Sequence, residues 1–335
     1  MTSDVDRFQT TDYDYAVQFS EDPGNGPASY LPEENRIPAV DLHSLSKTFG
    51  KVKALDGVTM DIPTGSVFGL LGPNGSGKTT LLSILCGFLK PSSGELRLFG
   101  GSVINGLPRV GAIVGEPSLW GHLSIWDNLR CARGIYNTSE SGCELSDLLD
   151  TVGLEEADRS RRFRDCSTGM KQRLAIAVTL LGDPDILVLD EPTNGLDPQG
   201  IADIREMVRR LSRRGDGSSR TIIMASHLLN EVEQVCNHVG VLNRGRLLYC
   251  GHIDGLMMTP RYQIDTTDNR AAMEILKAQG WKVENSWNGL DVSMKDASPW
   301  KISEILAGNG LYLNLLQPIP GVESGFFELL SSTDS

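Results

Sequence analysis

A glycine-rich stretch at residues 72–79, GPNGSGKT, has the residue types and spacing of a loop that binds phosphate groups. Its glycines allow the backbone to curl so that successive N–H groups point inward at phosphate oxygens. Lys78 adds a positive charge for those oxygens, and the Thr79 hydroxyl is suited to Mg²⁺. A short apolar run precedes the loop and a helical pattern follows it. The sequence therefore predicts the strand–loop–helix arrangement of a nucleotide-binding site.

Two adjacent acids, Asp190 and Glu191, follow a second apolar run at residues 186–189. We expect Asp190 at the carboxyl end of a parallel strand that is buried on both faces, the edge where open α/β sheets bind ligands. There Asp190 can hold Mg²⁺, and Glu191 can accept a proton from an attacking water. A pair of acids that only closes a strand is the alternative. In a chain with a phosphate loop, Glu191 indicates hydrolysis as well as binding.

A third apolar run, TIIMASH at residues 221–227, ends in His227. A lone histidine is more often structural than catalytic. This one follows a β-branched run and is expected at the same sheet edge as Asp190. At that edge an imidazole can hydrogen-bond a phosphate oxygen or the attacking water, so His227 is a candidate catalytic residue.

A serine and a glycine, Ser167 and Gly169, stand directly before a predicted helix over residues 170–181. Both are ordinary helix-capping residues, and most such caps bind only their own backbone. The N-terminal end of a helix also attracts anions, because its free N–H groups and its dipole favour negative charge. The residues alone leave both a plain cap and an anion site open.

The bulk composition limits the class of protein. The chain has 335 residues and a net charge of −12, which argues against a protein that coats nucleic acid. Residues 1–38 contain eight acids against two arginines and four prolines, which indicates an acidic disordered tail. The longest apolar stretch, residues 81–89, is shorter than the ~18 residues of a membrane span. Six scattered cysteines without a CxxC pair are typical of reduced thiols in the cytosol.

Beyond Gly255 the composition changes, and the pattern predicts a small domain with the element order βαββαβ. Such an order is typical of a ferredoxin-like sandwich. No catalytic constellation occurs in it, so we expect a dimerisation or regulatory role. The predicted strands span residues 262–266, 281–286, 290–295 and 311–316, and the predicted helices span residues 269–279 and 299–307.

Taken in order, these motifs resemble the ATP-binding subunit of ABC transporters, of the bacitracin- and lantibiotic-resistance exporter type, over residues 39 to about 255. GPNGSGKT resembles the Walker A loop, STGMKQ the ABC signature, ILVLDE the Walker B motif, NGLD the D-loop and the SH at 226–227 the switch histidine. The resemblance implies an α/β fold, a P-loop NTPase cassette with a RecA-like core and an antiparallel β subdomain. A helical subdomain at about 117–166 and a small α+β C-terminal domain at 256–335 complete the expected architecture.

In this family two cassettes pack head to tail, and each ATP lies between one phosphate loop and the signature of the other subunit. The resemblance implies that Ser167 and the Gly169 N–H face the γ-phosphate across the dimer, and that Asp197 stabilises the interface. Phe49 falls where the family stacks an aromatic ring on adenine, with a core phenylalanine as the alternative. The implied ATP ligands are Phe49, Gly72, Pro73, Asn74, Gly75, Ser76, Gly77, Lys78, Thr79, Thr80, Ser167, Gly169 and Asp197; the Mg²⁺ ligands are Thr79, Asp190 and Glu116; the catalytic residues are Glu191, His227 and Lys78.

Two positions depart from the family pattern. The first glycine of the usual signature is replaced by Thr168, from which we expect a weakened but working site. The glutamine of the family's Q-loop is replaced by Glu116, whose carboxylate can still reach Mg²⁺ through an oxygen. We expect its charge to alter how tightly the metal and the γ-phosphate are held.

The resemblance implies an ATPase that drives export through separate multi-span membrane permease subunits. It would form a homodimer, or a pseudo-dimer with a second ATP-binding cassette, and lie in the cytoplasm, peripheral at the inner face of the cell membrane. No nucleic-acid partner is expected. Trp120, Leu123 and Trp126 are candidates to line a groove for the membrane subunit, although apolar residues at helical spacing are more often core.

The competing function is a soluble ABC ATPase that acts on translation or DNA. Translation-type members carry two cassettes in one chain, whereas this chain has one. DNA-repair members insert a long coiled coil between the Walker motifs, for which the chain has no room. A non-hydrolysing regulatory module would be expected to lack Glu191 or His227, and both are present.

Overall fold

The computed structural model describes residues 37–102, 110–136, 145–256, 261–294 and 299–319, together with residues 322, 325, 326, 329 and 330. The predicted acidic tail at 1–38 therefore lies almost entirely outside the described residues. Within those ranges, no helix combines the length and the apolar character needed to cross a bilayer.

The strands of the described residues are β1 Val40–Phe49, β2 Val52–Ile62, β3 Val67–Leu71, β4 Ser93–Leu98, β5 Gly101–Ser102, β6 Val110–Ile113, β7 Ile186–Asp190, β8 Thr221–Ser226, β9 His238–Asn243, β10 Arg246–His252, β11 Arg261–Thr266, β12 Lys282–Ser286, β13 Gly289–Ser293 and β14 Leu313–Ile319. The helices are α1 Lys78–Leu85, α2 Ile125–Tyr136, α3 Leu145–Thr151, α4 Thr168–Thr179, α5 Pro198–Leu211, α6 Leu229–Val235, α7 Asn269–Ala278 and α8 Trp300–Gly308.

The central sheet has the strand order β10-β9-β3-β8-β7-β6 in the described residues, with every pair parallel except β10 with β9. β3, β7 and β8 are buried along their whole length, as their continuous apolar sequences predict. Their carboxyl ends lie side by side, because Leu71 pairs with Ser226 and Asp190 pairs with Ala225. The phosphate loop, the two acids and His227 therefore leave the sheet at one edge.

Apolar layers cover both faces of this sheet. Successive side chains of a strand point to opposite faces, so Val188 packs with the layer that contains α1 and the β1–β2 hairpin. Leu187 and Leu189 pack with the layer that contains the helices α2 to α5. A second, antiparallel sheet of the order β2-β1-β4-β5 forms the β subdomain expected for the cassette. Burial of each such side chain stabilises the fold by about 1.5–3 kcal/mol. The two layers therefore hold the central strands, and the motifs at their carboxyl ends, in place.

The helical subdomain begins with a loop that a buried asparagine holds in place. The Asn128 side chain accepts a hydrogen bond from the Trp120 N–H at 2.8 Å and donates one to the Trp120 carbonyl at 3.0 Å. Trp120 is 40% exposed, whereas Trp126 packs partly against the main apolar layer. Of the residues proposed for a groove, Trp126 thus belongs partly to the core.

Helix α4 begins at Thr168, two residues earlier than predicted, and ends at Thr179. Its boundary is set by Ser167, whose hydroxyl accepts a hydrogen bond from the Met170 N–H at 3.3 Å. Side-chain capping of this kind satisfies an N–H group that the first helical turn leaves unpaired.

The C-terminal region has the element order βαββαβ over β11 to β14, which is the order expected from the sequence. Its antiparallel sheet has the order β12-β13-β11-β14, so each βαβ unit has one strand between its two strands. The helices α7 and α8 bury Leu276 and Leu306 against it. The domain boundary placed at residue 256 stays a prediction.

Candidate active site

A cavity of about 950 Å³ opens at the carboxyl edge of the central sheet. Its size is in the range of small-molecule sites. Phosphate-loop residues, both Walker B acids and residues from five other segments surround it. The lining residues are Val52, Lys53, Ala54, Asn74, Gly75, Ser76, Gly77, Lys78, Thr79, Thr80, Gly115, Glu116, Pro117, Phe163, Thr168, Lys171, Gln172, Asp190, Glu191, Asn194 and Arg244.

The three glycines of the phosphate loop all have positive φ, but they are required for different reasons. A Cβ at Gly72 would lie 2.3 Å from the Leu242 carbonyl, and one at Gly77 would lie 2.7 Å from the Ala54 carbonyl. At Gly75 a Cβ would meet no described atom within 4 Å. Packing therefore excludes side chains at 72 and 77, whereas Gly75 presents its backbone to the cavity, where a phosphate can approach closely.

Lys78 is buried at the first residue of α1. Its Nζ donates a hydrogen bond to the Gly72 carbonyl at 2.7 Å and lies 3.8 Å from Oε1 of Glu191. Burial lowers the pKa of Lys78, and the nearby charges of Glu191 and Asp190 oppose that shift. The loop thus surrounds a positive charge directed toward the cavity.

Asp190 and Thr79 meet across the cavity floor. The Thr79 hydroxyl donates a hydrogen bond to Oδ2 of Asp190 at 2.9 Å. Oδ1 of Asp190 is buried without a hydrogen-bond partner among the described residues. Burial raises the pKa of the Asp190 carboxyl, and the Thr79 hydrogen bond opposes that rise. A buried carboxylate oxygen beside a hydroxyl is a donor set of hard oxygen atoms, which suits Mg²⁺.

Glu191 has a left-handed backbone conformation, with φ of +49°. Residues other than glycine rarely adopt it, and such strain is concentrated at functional sites. The Glu191 N–H donates to the Ala225 carbonyl at 3.0 Å, which anchors this turn to β8. His227 follows β8, and its Nδ1 lies 2.8 Å from Oε2 of Glu191. The structure thus brings together two residues predicted separately, and Glu191 also reaches Lys78.

The residues predicted to act across a dimer lie outside this cavity. Ser167 caps α4, and Asp197 caps α5 by accepting a hydrogen bond from the Gly200 N–H at 2.8 Å. Gly169, in the first turn of α4, has only the Leu196 side chain near the position of a Cβ, at 3.8 Å. Within one chain, Ser167 and Asp197 are helix caps.

Of the two predicted ligands Phe49 and Glu116, only Glu116 lines the cavity. Phe49 is 48% exposed at the β1–β2 turn, outside the cavity, with Lys47 Nζ 5.1 Å from its ring centroid. This exposure excludes the alternative of a core phenylalanine. The cavity is instead lined by Val52 of the next strand, the residue that pairs with Phe49. Glu116 is exposed and lines the cavity.

Several residues that line the cavity were not predicted as site residues, among them Lys171, Gln172 and Arg244. Gln172 and Lys171 lie within the signature-like motif, so their spacing could have indicated them. Arg244 lies in the turn between β9 and β10, where the Gly245 N–H donates to the Ser76 carbonyl at 2.8 Å. No local signal connects this turn with the phosphate loop, because the contact depends on the pairing of β9 with β3.

Known proteins are similar to this chain in sequence and in fold. A family model described as ABC transporter matches residues 55–194. The lantibiotic transport ATP-binding protein SrtF of Streptococcus pyogenes is 39% identical over 216 residues, which cover 64% of this chain and 91% of that protein. The bacitracin transport ATP-binding protein BcrA of Enterococcus faecalis is 33% identical over 290 residues, which cover 82% of this chain and 90% of that protein.

Solved structures agree with these relatives. The ATP-binding subunit of an ABC transporter superposes with a TM-score of 0.57 at 28% identity, covering 65% of this chain and 91% of the other. The cbiO1 protein of Clostridium perfringens, part of the transporter complex cbiONQ, superposes with a TM-score of 0.55 at 28% identity, covering 64% and 88%. The relatives are named as transport proteins, which favours a transporter subunit over a soluble translation- or DNA-associated ATPase. The chain belongs to the family of ATP-binding, ATP-hydrolysing subunits of ABC transporters.

Proposed function

We propose that this chain hydrolyses ATP with Glu191 as the general base and His227 as its partner, and that hydrolysis drives export through separate membrane subunits. The contact of 2.8 Å between Glu191 and His227 carries the proposal, because it places a proton acceptor and an imidazole together beside the phosphate loop. General-base catalysis requires such an acceptor within hydrogen-bond reach of the attacking water.

In this mechanism the loop backbone and Lys78 bind the phosphate oxygens, as dipoles and as a point charge. Glu191 accepts a proton from the water as the water oxygen bonds to the γ-phosphorus; the bond from that phosphorus to the bridging oxygen of the β-phosphate breaks, and ADP and phosphate are released. His227 orients the Glu191 carboxylate through Nδ1, which leaves its second ring nitrogen for a phosphate oxygen. The strained turn at Glu191 holds the base in place before ATP arrives, so little reorganisation is needed at the moment of reaction.

Mg²⁺ is the metal that this donor set would take. Thr79 and Asp190 would hold it, and Glu116 is the remaining acidic candidate at the cavity wall. The buried, unpaired Oδ1 of Asp190 supports this assignment, because a buried carboxylate oxygen needs a compensating partner. When bound, Mg²⁺ neutralises negative charge on the phosphates.

A second cassette would complete the site. Ser167 and Gly169 lie at the N-terminal end of α4 and do not line the cavity of their own chain, although Thr168 between them does. We propose that they contact an ATP held by a partner. The helix dipole and the free N–H groups of the first turn favour a γ-phosphate there. We infer head-to-tail dimerisation, with Asp197 at the interface.

The partners would be multi-span permease subunits, with the chain at the inner face of the membrane. The exposed Trp120 in the helical subdomain is the main candidate for their contact. The relatives named for bacitracin and lantibiotic transport support antibiotic peptides as the exported class.

Purification of the native complex in detergent tests this function. We expect a multi-span membrane protein to co-purify with the chain, and Trp120→Ala to reduce its recovery. Trp287→Ala is the matched control, because Trp287 is 95% exposed but lies in the C-terminal domain. Recovery of ribosomes or DNA in place of a membrane protein would contradict the proposal.

A further inference from the structure

A buried carboxylate lies directly behind the pair formed by Glu191 and His227. Glu231, on α6, is only 4% exposed, although glutamate is among the residues least often buried. The Thr193 hydroxyl donates to its Oε2 at 2.5 Å, and the Ser226 hydroxyl donates to the same oxygen at 3.2 Å. Thr193 and Ser226 are themselves 3% and 0% exposed.

The two donors are close in sequence to the proposed catalytic side chains: Thr193 lies in the loop that carries Glu191, and Ser226 is the last residue of β8. Thr193 follows Glu191 by two residues, in a turn closed by the hydrogen bond from the Asn194 N–H to the Glu191 carbonyl at 3.1 Å. Ser226 immediately precedes His227. One buried carboxylate oxygen thus links the residues next to both catalytic side chains, and Glu231 itself does not line the cavity.

The hydrogen bonds extend into the loop after His227. The Ser226 hydroxyl accepts a hydrogen bond from the Leu228 N–H at 3.0 Å, so the same hydroxyl holds the backbone on the far side of the histidine. The Glu231 N–H in turn donates to the Leu228 carbonyl at 3.2 Å. His227 therefore lies in a segment that is restrained at both ends through Glu231 and Ser226.

We propose that Glu231 is a positioning residue that keeps the loops of Glu191 and His227 at a fixed separation. The inference rests on the proposed function, because it assumes that these two side chains act together. Hydrogen bonds to a carboxylate are about twice as strong as those to a neutral acceptor. Burial of a carboxylate costs free energy unless its oxygens are hydrogen-bonded. Oε1 of Glu231 has no hydrogen-bond partner among the described residues, so this cost is only partly offset. A residue needed only for packing would not require a hydrogen-bond acceptor at this position.

The steady-state hydrolysis of ATP by the full-length chain tests this inference. Glu231→Ala removes both hydrogen bonds, and we expect kcat to fall by about 10- to 100-fold, the loss typical of small misplacements of catalytic groups. KM for ATP should change by less than about twofold, because Glu231 lies outside the cavity and the phosphate loop is untouched. Glu231→Gln keeps an acceptor oxygen and should restore most of kcat.

Three further variants separate positioning from general destabilisation. Thr193→Val keeps the shape of the side chain but removes the shorter hydrogen bond, and it should lower kcat without a large change in KM. Combined with Glu231→Ala it should add little, because both changes break the same interaction. Glu233→Ala, a partly exposed acid on the same helix, is the matched control and should leave both constants unchanged.

An unchanged kcat in Glu231→Ala would overturn the inference, as would equal losses in kcat and in ATP affinity. If Glu231→Ala does not fold, Thr193→Val decides: an unchanged kcat contradicts positioning and a selective fall supports it. Failure of the proposed function is visible separately, as ATP hydrolysis by Glu191→Gln at the wild-type rate.

Discussion

The Nδ1 atom of His227 lies 2.8 Å from Oε2 of Glu191, although 36 positions separate the two residues in the chain. Parallel pairing of β7 with β8 produces this contact, because Asp190 pairs with Ala225 and the two following loops leave the sheet together. The contact places an imidazole against the carboxylate that is the proposed base. It is the geometric basis for the predictions on hydrolysis.

Replacement of Glu191 by glutamine should abolish turnover while ATP binding is retained. The amide keeps the size of the side chain but cannot accept a proton from water, so we expect kcat to fall by about 10²- to 10⁴-fold. An ATP-bound dimer should accumulate, measurable as a doubled mass in light scattering with ATP. Hydrolysis at the wild-type rate would remove Glu191 from the role of base. A variant that stays monomeric with ATP would contradict the head-to-tail dimer.

Replacement of Asp190 by asparagine should raise the free energy of unfolding at pH 7 while it lowers the rate of ATP hydrolysis. Burial raises the pKa of Asp190 above its ordinary value of 3.8, so the folded state binds the proton more tightly than the unfolded chain. The charged carboxylate therefore lowers the free energy of unfolding as pH rises through the interval above 3.8. Asp190→Asn should unfold at higher denaturant concentration than the wild type at pH 7, with the difference shrinking toward acidic pH.

The same variant should lose ATP hydrolysis by about 100-fold or more, because the loss of a metal-binding group costs at least as much as the loss of its supporting partners. Asp147→Asn, an exposed acid on α3, should change neither property. A less stable Asp190→Asn protein at pH 7 would show that the hydrogen bond from Thr79, rather than burial, dominates at this site.

Replacement of Gly169 by alanine should show whether the N-terminal end of α4 binds a phosphate group, because this change leaves the Ser167 cap of the helix in place. The added methyl group would meet only Leu196 at an ordinary contact distance, and alanine favours helix by up to about 1 kcal/mol, so the monomer should not be destabilised. Alanine keeps the backbone N–H, but its methyl group would hold the γ-phosphate out of hydrogen-bond reach. In the Glu191→Gln background we therefore expect ATP-driven dimerisation to weaken about tenfold, the cost of one hydrogen bond to a charged group.

Ser167→Ala is the contrasting variant, because it removes the cap on Met170 as well as the proposed phosphate contact. It should lower the free energy of unfolding by about 1 kcal/mol in addition to weakening the dimer. Unchanged dimerisation in both variants would leave Ser167 with its local capping role alone and Gly169 without a phosphate contact.

Replacement of Phe49 by alanine tests adenine stacking. The ring is half exposed, so its loss should leave the free energy of unfolding almost unchanged. Stacking of a base on an aromatic ring contributes about 1–3 kcal/mol, so ATP affinity should fall about tenfold or more, measured by calorimetry. Phe49→Trp should keep the affinity. Phe88→Ala is the control, because Phe88 is also exposed, at 69%, but follows the phosphate loop in the sequence. Equal affinity of Phe49→Ala and wild type would exclude stacking.

The local chemistry of the site could be predicted from the sequence. The spacing of glycines, Lys78 and Thr79 predicted a phosphate loop, and the apolar runs before it and before Asp190 predicted buried parallel strands. These predictions succeed because backbone curling and strand burial depend on residues a few positions apart. The same holds for the C-terminal βαββαβ order, where helical and alternating patterns are strong.

The pairing of distant strands determined which loops lie together at the sheet edge, because no short sequence pattern indicates which strands become neighbours. Glu231 and Glu233 are indistinguishable in the sequence, yet only Glu231 faces the hydroxyls of Thr193 and Ser226. Arg244 reaches the cavity only because β9 pairs with β3. The sequence by itself determined which residue types occur in each motif, and hence which groups are candidates to bind phosphate and accept a proton. The tertiary structure determined their distances, because the side-by-side pairing of distant strands places the loops, and burial between them selects which acids stay inside.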